Sequence, residues 1–210
     1  MHTCKVILVR HGQTYWNAQR KIQGQVNVPL DETGIRQAGE TAEKLKDRNF
    51  DFCFSSPLSR ARKTAEIILK GQDCSDIDIH DEPLLLEQAF GVAEGFQMTS
   101  YDYDPDTPIN AFETFPKLYQ PAIGAEKFED VMERGRRFLK EVLLPQSRHS
   151  DNILVAAHGS LLSAVCNVIL DRPLEDYWDA KLPNCGTAEI TINNGRIATL
   201  NLKDETYRFK

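Results

Sequence analysis

At 210 residues, with 41% hydrophobic and 27% charged residues, the chain has the size and composition of one soluble α/β domain, or at most two small ones, with enough apolar material for a substantial core. Its formal net charge of −6 argues against nucleic acid or an anionic membrane as a partner, because both need a basic face, so an anionic substrate requires a local basic pocket. Five cysteines, an odd number without C-x-x-C spacing, point to a reducing cytoplasm and no structural zinc, and neither a signal-peptide pattern nor an apolar run of membrane-spanning length is present.

The uninterrupted run Val6-Ile7-Leu8-Val9 reads as a strand buried on both faces of a parallel sheet, and it opens directly into Arg10, His11 and Gly12. Residues 31–45 follow as an amphipathic helix, with Asp31 as N-cap and Ile35, Ala38, Ala42 and Leu45 on its apolar face. Residues 50–55 form a second strand. Ser56-Pro57 then predicts a helix start, Ser as N-cap and Pro at the first position, with Arg60 in the first turn and Leu58, Ala61, Ala65 and Ile68 on one face. A short strand is expected near 77–80, before Leu84-Leu85-Leu86 runs into Glu87 and the stretch E-Q-A-F-G-V-A-E-G.

From about 96 to 127 no period holds, and four of the ten prolines fall here among several aromatics. This stretch is read as an irregular lid or excursion, packed by Tyr101, Tyr103, Phe112, Phe115 and Tyr119. Helical periodicity resumes with Phe128, Val131, Gly135, Phe138 and Val142 and is expected to stop at Pro145. Residues 153–157 are another buried strand, ending in A-A-H-G-S, and residues 161–170 an apolar helix closed by Asp171-Arg172-Pro173. Two further strands, 188–192 and 196–202, flank Asn193-Asn194-Gly195, a hairpin turn suited to positive φ. The alternation predicts a three-layer α/β/α sandwich with a mainly parallel sheet and an antiparallel edge, one domain over residues 1–210.

Parallel strands deliver their C-terminal ends to one edge, so Arg10-His11, Arg60 and His158 can converge there. Helix N-termini near Ser56 and Ser160 would aim N–H groups at the same spot, and Gly12 and Gly159 would allow a ligand oxygen close approach. Such a cup suits a phosphoryl group, with arginines neutralising its oxygens and a neutral imidazole able to attack phosphorus. A leaving alkoxide also needs a proton donor. Glu87, expected to be desolvated beside three leucines, competes for that role with Glu94 in the same acidic segment. His2, His80 and His149 read as surface residues.

The motifs V-R-H-G-Q-T-Y-W-N (Val9–Asn17), I-Q-G (Ile22–Gly24), S-S-P-L-S-R-A-R-K-T-A (Ser55–Ala65), L-E-Q-A-F-G-V-A-E-G (Leu86–Gly95) and A-A-H-G-S (Ala156–Ser160) together resemble the histidine phosphatase superfamily, in its phosphoglycerate-mutase-like branch. The resemblance runs in order over almost the whole chain. It implies that His11 is the phosphorylated histidine, that Arg10, Arg60 and His158 complete the phosphate pocket, and that Glu87 is the proton donor. By the same resemblance Asn17, Gln23 and Gly24 line the substrate side, with Gly159 and Ser160 contributing at the helix start, and no metal or other cofactor is used. Lys21 stands where relatives often carry arginine. Cofactor-dependent mutases resemble N-E-R-H-Y-G around the donor, followed by further basic residues, whereas Glu87 here precedes Gln88-Ala89-Phe90-Gly91 and an acidic stretch at 101–106. The departure favours a phosphatase of a small phosphorylated metabolite over a mutase or a noncatalytic phospholigand-binding module. The oligomeric state is left open, a homodimer included.

Overall fold

Every residue from Val6 to Val9 is buried, and the two-residue period of an extended strand sends them to opposite sides. Val6 and Leu8 enter one apolar cluster, and Ile7 and Val9 enter another. That strand, β1 (Thr3–Arg10), sits near the centre of a seven-stranded sheet with β2 (Phe52–Ser55), β3 (Ile79–Asp81), β4 (Asn152–Ala157), β5 (Thr187–Asn193), β6 (Arg196–Leu202) and β7 (Glu205–Arg208), in the order β3-β2-β4-β1-β5-β6-β7. This computed structural model describes residues 2–72, 74, 76–97 and 111–209. Strands β3, β2, β4 and β1 run parallel, and β5 to β7 continue antiparallel.

Helices α1 (Glu32–Lys44) and α2 (Ser59–Lys70) cover the face that carries Ile7 and Val9, through Ala42, Ala65 and Ile68. Helices α3 (Phe128–Arg137) and α4 (Gly159–Leu170) cover the other. The result is a three-layer α/β/α sandwich with an antiparallel edge. Helix α4 is apolar almost all round because the sheet lies beneath it and α3 above it, with a Cβ at Gly135 falling 3.3 Å from the Val165 nitrogen.

Several local expectations need correction. Helix α2 starts at Ser59 rather than at Ser56-Pro57, its N-cap is Leu58, and the Ser59 N–H is taken by Asn27 Oδ1 at 2.8 Å. Ser56 lies three residues before the helix, where its hydroxyl meets His158 at 2.7 Å and accepts the Leu58 N–H only at 3.4 Å. In α1, Asp31 caps as expected, but Ile35 is 48% exposed. Gly34 packs backbone to backbone on residue 13, where a Cβ would fall 2.0 Å from the carbonyl oxygen, and the next residue is rotated outward by about 100°.

The helical run from Phe128 passes Pro145 by one residue. Phe138–Leu143 forms a wide π turn before Leu144–Gln146, so the proline's missing N–H falls where the α ladder is already interrupted. Helix α4 begins at Gly159, two residues before the expected start. Asn194 and Gly195 adopt positive φ in the β5–β6 turn, and a second such turn, Lys203-Asp204, leads into the unexpected strand β7. Within 96–127, a short helix at Ala111–Thr114 buries Phe112 against Phe128 and Tyr119, whereas Tyr101, Tyr103 and the acidic stretch at 101–106 lie outside the described residues.

Candidate active site

The C-terminal ends of β1 and β4 lie side by side, with Arg10 opposite Ala157, so the loops that follow them start from one place. His11 donates its main-chain N–H to the Ala157 carbonyl at 3.0 Å, and Gly12 donates to Thr64 Oγ1 at 3.1 Å. Thr64 in turn donates to the carbonyl of Arg60 one helical turn earlier, which couples the β1 end to α2. Gly12 is required by packing rather than by a ligand, since a Cβ there would fall 2.5 Å from the Gly34 carbonyl oxygen.

His11 is buried, and its two ring nitrogens are distinct. Nδ1 lies 2.7 Å from the Gly12 carbonyl oxygen, which can only accept, so Nδ1 carries the proton. Nε2 consequently presents its lone pair, to which Arg60 Nε donates at 3.3 Å. Burial, then the charges of Arg60 and Arg10, hold the His11 pKa well below its usual value of 6.5, so the imidazole is neutral. His158 has its ring centroid 5.1 Å from that of His11, meets Ser56 Oγ through Nε2 at 2.7 Å, and keeps a buried Nδ1 that has no partner among the described residues. Its pKa is also depressed, first by burial and then by Arg60.

Arg60 is fully buried in the first turn of α2, a position that the helix dipole disfavours for a cation. Carbonyl oxygens offset this, with Nη1 donating to Val26 at 2.8 Å and Nη2 to Gly24 at 2.7 Å. Its pKa is lowered to about 10 by burial, while Glu87 and Glu94 pull it up. Arg10 donates through Nη1 to the Leu182 carbonyl at 2.8 Å, and its buried Nε has no partner among the described residues. Gly159 is needed beside it, because a Cβ would stand 3.3 Å from the guanidinium carbon.

Glu87 is not the dry carboxyl expected from its leucine neighbours. Oε1 accepts from the Leu161 and Gln88 N–H groups at 3.1 and 3.0 Å, and Oε2 from that of Ser160 at 3.2 Å, so the side chain caps the N-terminus of α4. The competing Glu94 accepts from the Gln25 and Phe90 N–H groups and closes the loop around Gly24.

Arg10, His11, Arg60, Glu87, Gly159 and Ser160 line one end of a single cavity of about 110 Å³. Asn17, Lys21, Gln23 and Gly24 line the same cavity. His158 lies behind His11 and does not reach the cavity wall. Thr14 organises the far side, donating to Gln23 Oε1 at 2.8 Å and capping the short helix that carries Asn17.

The histidine phosphatase superfamily (branch 1) model matches residues 6–205. The chain belongs to this family. Among curated relatives it is 34% identical over 164 residues to the uncharacterized phosphatase PhoE of Bacillus subtilis, covering 78% of this chain and 76% of PhoE. It is 32% identical over 192 residues to the probable phosphoglycerate mutase GpmB of Proteus mirabilis, covering 90% and 86% of the two chains. Among solved structures, the mycobacterial glucosyl-3-phosphoglycerate phosphatase with bound VO3 superposes with a TM-score of 0.79 at 25% identity, over 95% of this chain and 98% of that one.

Several cavity residues carried no sequence signal. Trp178 lies in a 3-10 helix, Leu174–Ala180, that the sequence pattern does not predict, Lys181 follows it directly, and Glu113 comes from the irregular excursion. Lys181 Nζ pairs with Glu113 at 2.7 Å and lies over the Trp178 ring, so the outer cavity balances one of its cations internally. Phe112, expected only to pack, both packs and lines the wall. Among the described residues no group of three or more His, Cys, Asp or Glu could hold a metal ion, and no helix is long and apolar enough to cross a membrane.

Proposed function

We propose that this chain is a metal-independent phosphomonoesterase that hydrolyses a small phosphorylated metabolite through a phosphohistidine at His11. The observation that carries the reading is the fixed tautomer of His11, whose protonated Nδ1 is held by the Gly12 carbonyl and whose bare Nε2 meets Arg60 in a cavity with Arg10 and Glu87. In the first half-reaction Nε2 displaces Arg60 Nε as its partner and attacks phosphorus. The phosphorus–ester oxygen bond breaks, and the leaving oxygen takes a proton from Glu87. In the second, water attacks the phosphoryl group, Glu87 receives the water's proton, and the phosphorus–nitrogen bond breaks to release orthophosphate. Arg60 and the buried Nε of Arg10 neutralise the phosphoryl oxygens, with His158 supporting His11 from behind. Five free cysteines support a reducing cytoplasm as its compartment.

Phosphoglycerate mutase activity is the second reading, favoured by the likeness to GpmB. Against it stands the Lys181–Glu113 pair, which puts a carboxylate in the outer cavity where a second phosphate would have to be held. Incubation with 3-phosphoglycerate and a bisphosphorylated primer separates the two, since isomer formation without phosphate release would favour the mutase. For the phosphatase, His11→Ala is expected to abolish both turnover and acid-labile phosphate labelling of the protein. Near-normal hydrolysis by that variant would overturn the mechanism.

A further inference from the structure

Glu87 is held by its carboxyl at the N-terminus of α4, but its main chain lies in an extended segment that forms no strand. What fixes that segment is a side chain from α3. Arg134 makes five hydrogen bonds, donating through Nη1 to the carbonyl oxygens of Leu84 and Leu86 at 3.0 and 2.6 Å, through Nη2 to the carbonyl oxygen of Glu87 at 3.2 Å and to Glu126 Oε2 at 2.9 Å, and through Nε to Glu126 Oε1 at 2.9 Å.

The two-pronged contact with Glu126 orients the guanidinium plane, and Glu126 ties down the far side of the same segment. Its Oε2 accepts the Ala89 N–H at 2.8 Å, and its main-chain oxygen accepts from Gln88 Nε2 at 3.0 Å. Gln88 is fully buried and also accepts from Ser160 Oγ at 2.7 Å, beside the amide that holds the Glu87 carboxyl. The next residue, Gly135, packs on α4, where a Cβ would fall 3.3 Å from the Val165 nitrogen, so the helix carrying the guanidinium and the helix capped by Glu87 are packed against each other.

We infer that Arg134, oriented by Glu126, is a positioning residue that sets the place of the Glu87 carboxyl relative to the leaving oxygen. Neither residue of the pair lines the cavity, and their direct contacts are with the main chain of Leu84, Leu86, Glu87 and Ala89 and with the side chain of Gln88. The inference rests on Glu87 being the proton donor. Alkoxide departure needs that proton and departure of a stabilised aryloxide does not, so the loss of placement has a chemical signature.

The test measures kcat/KM, which reports phosphoryl transfer to His11, for 2-phenylethyl phosphate and 4-nitrophenyl phosphate. Arg134→Lys keeps the charge but cannot make the planar set of contacts, and Glu126→Gln removes the partner charge at almost constant shape. Each is expected to slow the alkyl ester by about tenfold to a hundredfold and the aryl ester by less than about threefold. Adding either change to Glu87→Gln is expected to cost the alkyl ester nothing further, because the group being positioned is already gone.

Equal slowing of both esters, or full additivity with Glu87→Gln, would overturn the inference while leaving the proton donor intact. Absence of leaving-group selectivity in Glu87→Gln alone would instead remove the donor reading and the inference with it. A urea midpoint for each variant accompanies the kinetics. If Arg134→Lys does not fold, the Glu126→Gln comparison decides by the same two criteria.

Discussion

Two buried neutral histidines at one site predict a specific loss of stability in mild acid. Burial, reinforced by Arg60, depresses the pKa of both His11 and His158 below 6.5, whereas in the unfolded chain both protonate near that value. Above pH 6.5 neither state binds these protons. As the pH falls below it the unfolded state takes up protons that the folded state refuses, so stability declines. Each histidine contributes a slope approaching about 1.4 kcal/mol per pH unit. The pair together contributes a slope of up to about 2.8 kcal/mol per pH unit, from below pH 6.5 down to the folded-state pKa values. His11→Gln keeps an N–H for the Gly12 carbonyl and an acceptor for Arg60 but does not titrate. Urea unfolding followed between about pH 7.5 and 5.5 should therefore show the variant losing stability less steeply than the parent, by up to about 1.4 kcal/mol per pH unit. Superimposable pH dependences would refute the claim that His11 is buried in its neutral form.

Two further substitutions probe charge and packing. Arg60→Lys retains the positive charge but cannot serve His11, Val26 and Gly24 together, and steady-state assays should show kcat lowered by about a hundredfold or more. Phe128 is 1% exposed and meets the rings of Phe112, Tyr119, Tyr177 and Trp178, so Phe128→Ala should cost about 3–5 kcal/mol in urea unfolding. Since Phe112 and Trp178 also line the cavity, the same variant should raise KM more than it lowers kcat.

The parts of the fold legible in the sequence were those whose burial follows a period. The Val6–Val9 run, the A-A-H-G-S end of β4 and the Asn-Gly turn each carry a local cause that survives in the folded chain. Ser56-Pro57 misled because a serine before proline looks the same whether its hydroxyl caps a helix or binds a histidine 102 residues away. Lys203-Asp204 gave only a weak turn signal, since Asp204 tolerates the positive φ that both adopt but no glycine or asparagine accompanies it and lysine does not favour that region.

In the site, histidine and glycine at strand ends were visible because topology brings strand ends together. Arg134 and Glu126 were hidden as ordinary residues of a charged helix and the loop before it, where only three-dimensional placement against residues 84–89 gives them meaning. Glu113 and Lys181 were invisible for the same reason, being 68 residues apart in segments without periodicity.

Strand β1 pairs with β4 on one side and β5 on the other, and the Cys185 N–H holds the carbonyl of Arg10 at 3.1 Å. Both neighbours are made long after it. Between Arg10 and Asn152 the ribosome must add a stretch that takes roughly 7 to 28 s at ordinary translation speeds. Throughout that interval Val6-Ile7-Leu8-Val9 has neither edge paired in its native arrangement, a sticky segment emerging well ahead of anything that can cover it. The strand that leads into His11 is thus made first and covered late, and the cavity at its end cannot close until β4 and β5 have been synthesised.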